Sequence, residues 1–410
     1  MGPEAPEVSL DEYFHGMEIK HVFLVCGRSI RFLCLNDYFS TLEERLGIKV
    51  TRFSDYTPNP AYESAVEGAA LFRKEGCDCI VAVGGGSAMD VAKCVKLFAT
   101  LDPSVSYLEQ SYEDNGIPFL AVPTTAGTGS EATHFAVIYD GGKKLSIAHE
   151  SAVPQAVVFD PTTLVSLPDY QRKATMMDAL CHAIESCWSV KANDESRRIA
   201  KEAIWQVLSS KDEYLANTPE GNRSMLLAAN MAGKAINLTQ TTAGHAMCYK
   251  LTGIFGISHG HAAALCVSVL WPFMIAHADE SVCPEGESGL KQVFSELADL
   301  WGALTPQEAA AQFSALVAEL GLNTLRRPDA KKEGSANAAN AADSADAAAP
   351  VKATQELINT LADSVNLQRL KNNPVALTRD EIVELYEEIF RRYGAGGGSV
   401  EKSKHLNKST

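Results

Sequence analysis

Positive charge is scarce in this 410-residue chain: 36 Lys and Arg face 51 Asp and Glu, a formal charge of −15. A surface of that sign repels phosphate backbones and anionic membranes at long range. Nucleic acid is therefore not an expected partner, although a local basic pocket can still receive a small anion. No uninterrupted apolar run is long enough for a membrane helix. The opening MGPEAPEVSLDEYF is acidic and has no apolar core, so it does not read as a signal peptide, and MGPEAP lacks the Ser or Thr of a myristoylation signal. A cytoplasmic protein is the resulting expectation. The ten cysteines follow no framework spacing and are expected as reduced thiols. Cys77 and Cys79 lead directly into an apolar run and read as small buried strand residues.

What is present is globular composition, 46% hydrophobic and 21% charged, in a chain long enough for two domains. Up to about residue 165, short β-rich runs alternate with helical spacing. HVFLVC (21–26), KVTRF (49–53), CIVAV (79–83) and PFLAV (118–122) read as buried strands, with helices over 62–74 and 88–100. That alternation predicts a parallel, doubly wound α/β domain over 1–165. HFAVIYDGGKKLSIAH reads as a hairpin turning at Asp140-Gly141-Gly142. After Pro168 strand signals stop. Helical patterns over 170–188, 195–209, 223–237 and 262–277 predict an all-α domain over 166–395. Residues 329–350, rich in Ala, Asn, Asp and Ser, read as a surface insertion, and 396–410 as a disordered tail.

Two loops carry phosphate chemistry. A buried strand ends in Gly84-Gly85-Gly86-Ser87 and a helix follows at once. Glycines let backbone approach a phosphate, and a helix N-terminus offers N–H groups and partial positive charge. Ser87 can add a donor, and Asp90 can hold the first turn. The spacing matches neither G-x-G-x-x-G nor the P-loop. The second loop, PTTAGTGSEAT (123–133), presents hydroxyls and bare N–H groups where open α/β sheets bind ligands.

A metal constellation follows. Asp178 and His182 stand four residues apart on a predicted helix, one turn apart on one face. His245 lies in a later predicted helix, and His259 precedes Gly260 at the start of the next, both in apolar surroundings where an unpartnered imidazole is costly. Three imidazoles and a carboxylate suit Fe²⁺ or Zn²⁺ better than Mg²⁺ or Ca²⁺. His261 falls on a different helical face from His259 and is given a supporting role at most.

GGGSAMDVAK, PTTAGTGSEAT, Asp178 with His182, and His245 with His259-Gly260 occur together and in order. In these motifs the chain resembles the iron-containing (group III) alcohol dehydrogenase family over nearly its whole length. The resemblance implies a dehydroquinate-synthase-like fold: a nucleotide-binding α/β domain, an all-α metal domain and an active site in the cleft between them. It implies metal ligation by Asp178, His182, His245 and His259, a pyrophosphate loop at Gly85, Gly86 and Ser87, and nicotinamide and ribose contacts at Thr125, Thr128 and Lys144, with Asn59 nearby. The cofactors implied are NADP(H) or NAD(H) and Fe²⁺, with Zn²⁺ as the alternative. The implied reaction is reduction of a small aldehyde to an alcohol in a homo-oligomer. General short-chain alcohol dehydrogenation and a non-redox NAD/metal reaction on the same fold are the alternatives.

Two departures refine this. Many family members carry a further histidine four residues after the third ligand, where this chain has Tyr249 and then Lys250. Tyr249 thus becomes the candidate proton donor, beside water and the cofactor ribose. Many NAD-preferring members carry Asp after the first strand, where this chain has Gly27-Arg28-Ser29, a cation and donors suited to a 2′-phosphate. The stretch from Lys234 to His261 looks most like the branch of the family that reduces phosphonoacetaldehyde. Lys234 and Lys250 are then the expected contacts to a phosphonate, with Thr241 and Thr242 also on segments near the metal ligands.

Overall fold

The computed structural model describes residues 6–326 and 353–394. The predicted insertion and tail lie outside the described residues. The chain divides into two compact units, one of 1–168 with 209–237, the other of 169–208 with 238–410. A single boundary near 165 was the expectation. Instead the first unit also takes the end of one long helix, Asp194–Leu215, and most of the next, Pro219–Thr239.

Gly129 and Gly233 show why those later residues belong with the first unit. A Cβ on Gly129 would stand 2.5 Å from the Gly233 Cα, and one on Gly233 would stand 2.4 Å from the Gly129 carbonyl oxygen. Gly129 also has φ +58°, in the left-handed region. Two facing glycines therefore let the Pro219–Thr239 helix lie directly on the 123–133 loop.

The first unit is built on a parallel sheet of β1 (His21–Cys26), β2 (Lys49–Phe53), β3 (Cys79–Gly84), β4 (Phe119–Pro123) and the short β7 (Ala156–Val157), in the order β2-β1-β3-β4-β7. Val22, Leu24, Val81, Val83, Leu120 and Val122 pack into one core. Their neighbours Phe23, Val25, Ile80, Ala82, Phe119 and Ala121 pack into another. A sheet covered on both faces needs continuous apolar strands rather than alternation, which is why these runs were legible. β5 (Phe135–Asp140) and β6 (Lys143–Ala148) form the separate antiparallel hairpin. Its turn uses Gly141 and Gly142, both at positive φ, which matches the twist of the flanking strands.

The regular elements of the second unit are all helices among its described residues, with one isolated β-bridge between Ser281 and Val375. At its centre is His259–Ala276, packed against Asp169–Trp188, Ala243–Phe255, Pro306–Glu319 and Arg379–Tyr393. By length and composition it could cross a membrane, but most of it is buried inside the protein. Its apolar sequence is that of a helix surrounded on all sides. Trp188, Trp271, Phe294 and Phe313 meet edge to face beneath it. No disulfide joins any of the ten cysteines, and all but Cys34 and Cys283 are buried.

Candidate metal centre and cofactor loops

The four predicted ligands converge. One donor atom from each of Asp178, His182, His245 and His259 lies within 4.8 Å of all the others. Asp178 and His182 come from successive turns of Asp169–Trp188, His245 from the first turn of Ala243–Phe255, and His259 from the first residue of His259–Ala276. The His182 and His245 rings stack with centroids 4.4 Å apart and planes 14° from parallel. Asp178, His182 and His245 are buried, and His259 is the most exposed of the four. The cluster is therefore buried except on the side of His259.

The donor chemistry fits a metal ion. Asp178 Oδ1 and His245 Nε2 are fully buried and have no hydrogen-bond partner. They stand 3.6 Å apart, too far to satisfy each other. Orphaned polar atoms of this kind cost about 1–3 kcal/mol each, a cost that a shared cation removes. Burial raises the Asp178 pKa, but the surrounding histidines His182, His259 and His245 outweigh it and hold the carboxyl well below its usual range.

Glu185, which sequence reasoning missed, organises this cluster. It is fully buried three residues after His182, and one oxygen accepts from His245 Nδ1. That contact turns His245 Nε2 toward Asp178 and sets its tautomer. The other oxygen accepts from Thr242 Oγ1 at 2.8 Å and from the His245 backbone N–H at 3.2 Å. One carboxylate therefore caps the helix N-terminus and orients the ligand borne on its first turn. Gly244 makes room for it, since a Cβ there would stand 2.5 Å from Glu185 Oε1. Trp188 Nε1 donates to Thr242 Oγ1 at 3.0 Å and holds the same turn.

His261 lies outside the cluster. Its Nε2 donates to the Leu322 carbonyl at 2.6 Å and its Nδ1 accepts from Tyr170 at 3.0 Å, so it joins segments rather than ligating. Tyr249 stacks on His259, with centroids 5.5 Å apart and planes 14° from parallel. Burial raises its phenol pKa above the usual range, and the Arg369 charge opposes that rise. Lys234 and Lys250, the expected phosphonate contacts, are both exposed. Lys234 lies in the first unit, where its charge acts on buried Glu131. The helix bearing it ends at Thr239 and the next begins at Ala243, so no continuous helix runs from Lys234 to His245.

In the first unit, Gly85 and Gly86 face the second loop. A Cβ on Gly85 would stand 3.1 Å from Thr125 Oγ1, and one on Gly86 would stand 3.2 Å from Thr128 Cγ2. Ser87 Oγ accepts from the Asn59 N–H at 3.4 Å, and Asn59 itself is left-handed at φ +57°. Asn59, Gly85, Gly86, Ser87, Thr125 and Thr128 are thus gathered beyond the carboxyl ends of β2, β3 and β4, next to the start of the Gly86–Phe98 helix. Gly27 caps a short helical turn after β1 that begins with Arg28 and Ser29, both exposed. Lys144 lies exposed on β6, where its charge acts on Asp90.

The second missed residue is Lys93. It is fully buried and donates to Ser130 Oγ (3.0 Å), Thr133 Oγ1 (3.0 Å) and the Phe135 carbonyl (2.7 Å). Burial lowers its pKa to about 8, with Asp90 and Glu131 opposing the shift. Burial also raises Asp90 to about 6, opposed by Lys93. Lys93 ties the threonine-rich loop to the glycine-loop helix, so both segments are held by one side chain.

Comparison with known proteins agrees with this geometry. Residues 6–161 match the family described as iron-containing alcohol dehydrogenase, and residues 173–390 match the C-terminal part of the Fe-containing alcohol dehydrogenase family. The chain belongs to the iron-containing alcohol dehydrogenase family. It is accordingly an NAD(P)-dependent, iron-type oxidoreductase. It is 31% identical to long-chain-alcohol dehydrogenase 1 of Geobacillus thermodenitrificans over 64% of this chain and 67% of that one. It is 32% identical to phosphonoacetaldehyde reductase of Streptomyces viridochromogenes over 63% of this chain and 69% of that one. Its fold matches sulfoacetaldehyde reductase from Bifidobacterium kashiwanohense in complex with NAD⁺, with a TM-score of 0.77, 26% identity, and coverage of 94% of this chain and 95% of that one.

Proposed function

We propose that this enzyme reduces a small aldehyde to its alcohol with NADPH or NADH, and that phosphonoacetaldehyde, giving 2-hydroxyethylphosphonate, is its substrate. The observation carrying the aldehyde reading is the convergence of Asp178, His182, His245 and His259 with Glu185 behind His245. The phosphonate reading draws support from the 32% identical Streptomyces relative.

When bound, iron supplies Lewis acidity toward a carbonyl oxygen, and the reduced nicotinamide supplies a hydride. Asp178, His182, His245 and His259 hold the iron. Glu185 keeps His245 in the ligating tautomer. Gly85, Gly86 and Ser87, with the helix N-terminus behind them, bind the cofactor pyrophosphate, while Thr125, Thr128, Lys144 and Asn59 position its ribose and nicotinamide. Gly27, Arg28 and Ser29 receive a 2′-phosphate and favour NADPH. The stacking of Tyr249, a neutral phenol, on His259 supports it as the donor of the proton the alcohol needs, beside water and the cofactor ribose. A cytoplasmic homo-oligomer belongs to the same proposal.

A screen of metal-loaded protein for NADPH and NADH oxidation tests this, using phosphonoacetaldehyde, lactaldehyde, butyraldehyde and succinic semialdehyde. Oxidation with phosphonoacetaldehyde as the best substrate is the expected result. Turnover with the uncharged aldehydes alone removes the phosphonate reading, and no oxidation with any of the four removes the aldehyde reading too.

A further inference from the structure

One arginine of the helical unit, Arg369, is bonded to the turn that leads into the helix bearing His245, and no role was expected for it. Arg369 lies on the short Leu367–Leu370 helix, which packs against the Ala243–Phe255 helix that carries His245. Its Nη1 donates to Thr241 Oγ1 at 3.3 Å. Thr241 is buried and directly precedes Thr242, whose hydroxyl is bonded to Glu185 behind His245. On the other side, the Arg369 charge acts on Tyr249, the ring stacked on His259. The guanidinium is therefore hydrogen-bonded to the turn that precedes the metal-ligand helix, near enough for its charge to act on Tyr249.

The turn that seats it is held firmly. Gln240 is left-handed at φ +60°. Asn372 Nδ2 donates to the Thr239 and Thr241 carbonyls, at 3.2 and 3.3 Å. Asn373 Oδ1 accepts from the Ala243 N–H at 3.4 Å, and Ser189 Oγ donates to the Thr239 carbonyl at 3.2 Å. A planar guanidinium held in this way is suited to a phosphonate, sulfonate or carboxylate, each of which offers two or more oxygens to its fork. The exposed Lys234 and Lys250 have no comparable placement.

We infer that Arg369 is the residue that recognises the anionic end of the substrate, so that the enzyme acts on short aldehydes bearing a terminal oxyanion. The inference rests on the aldehyde-reductase reading above. It names the specificity-determining residue and widens the substrate class to all three oxyanions.

The experiment compares metal-loaded wild type with Arg369→Met and Arg369→Lys. One assay measures kcat/KM for phosphonoacetaldehyde, sulfoacetaldehyde and succinic semialdehyde relative to butyraldehyde. The other measures calorimetric binding of 2-hydroxyethylphosphonate and needs no turnover. Wild type is expected to favour the anionic aldehydes. Arg369→Met is expected to lower the anionic-to-uncharged ratio by about tenfold to a hundredfold, mostly through KM, and to weaken 2-hydroxyethylphosphonate binding in parallel. Arg369→Lys, which keeps the charge without the fork, should recover part of both. An unchanged ratio with unchanged binding overturns the inference, as does equal damage toward all four aldehydes that Arg369→Lys does not relieve. A wild type that reduces butyraldehyde but no anionic aldehyde also overturns it while leaving aldehyde reduction standing. If no aldehyde is reduced, the functional reading falls, and the binding assay still decides whether Arg369 holds an oxyanion.

Discussion

Glu185 and His245 form a carboxylate–histidine pair in which the buried carboxylate takes the imidazole Nδ1–H and leaves Nε2 for the metal. Glu185→Gln keeps the shape and removes the charge. It is expected to weaken iron or zinc affinity about tenfold to a hundredfold, read by competition with a chromogenic chelator. Unchanged affinity would show that Glu185 serves only as a helix cap. A second residue-scale expectation concerns Arg28, exposed after β1. If it binds the 2′-phosphate, Arg28→Ala should raise the KM for NADPH about tenfold or more and leave that for NADH nearly unchanged. Equal losses for both cofactors would count against that role. The four ligands were legible because Asp-x-x-x-His on a helix and histidines in apolar sequence are costly without a partner. Glu185 was not legible, because its partner lies 60 residues away and a Glu in a helix has many ordinary uses.

At the scale of elements, glycines decide how closely helices and loops approach. Gly260 follows ligand His259 at the start of the central helix. A Cβ there would stand 2.1 Å from the Ala174 carbonyl oxygen and 2.6 Å from the Asp178 Cβ. Only a bare backbone lets this helix lie on Asp169–Trp188 closely enough to bring His259 to Asp178. Gly260→Ala is therefore expected to destabilise the protein by about 1–3 kcal/mol and to lower metal occupancy, measured by thermal melting with metal analysis. A variant with wild-type melting and full metal content would contradict this. The sequence pattern included Gly260 but could not give the reason, since nothing local reveals a helix crossing. The opposite holds for β1, β3 and β4, whose uninterrupted apolar runs directly reflect a sheet buried on both faces, whereas β2 at the sheet edge, expected to be buried, buries only Phe53. Helix ends shifted by a few residues, as in the expected 195–209 against the observed Asp194–Leu215. Solvated ends lack the apolar periodicity that marks a helix interior.

At the scale of the molecule, the glycine-rich and threonine-rich loops lie in one unit and the Asp178, His182, His245 and His259 cluster in the other. Chain order alone did not show that 209–237 packs with the first unit, because the Gly129–Gly233 approach joins residues more than a hundred apart in sequence. The net charge of −15 makes Arg369 more informative, since a cation bonded to the turn before the His245 helix opposes the sign of the whole. The central claim is that Asp178, His182, His245 and His259 hold one catalytic metal. Its most direct test is metal analysis and NADPH-linked aldehyde turnover on the same preparations of wild type and His259→Ala, with circular dichroism to monitor the fold. The account predicts about one iron or zinc per wild-type chain, and severe loss of both metal and turnover in a folded His259→Ala protein. A folded variant that keeps stoichiometric metal and the wild-type rate would contradict it.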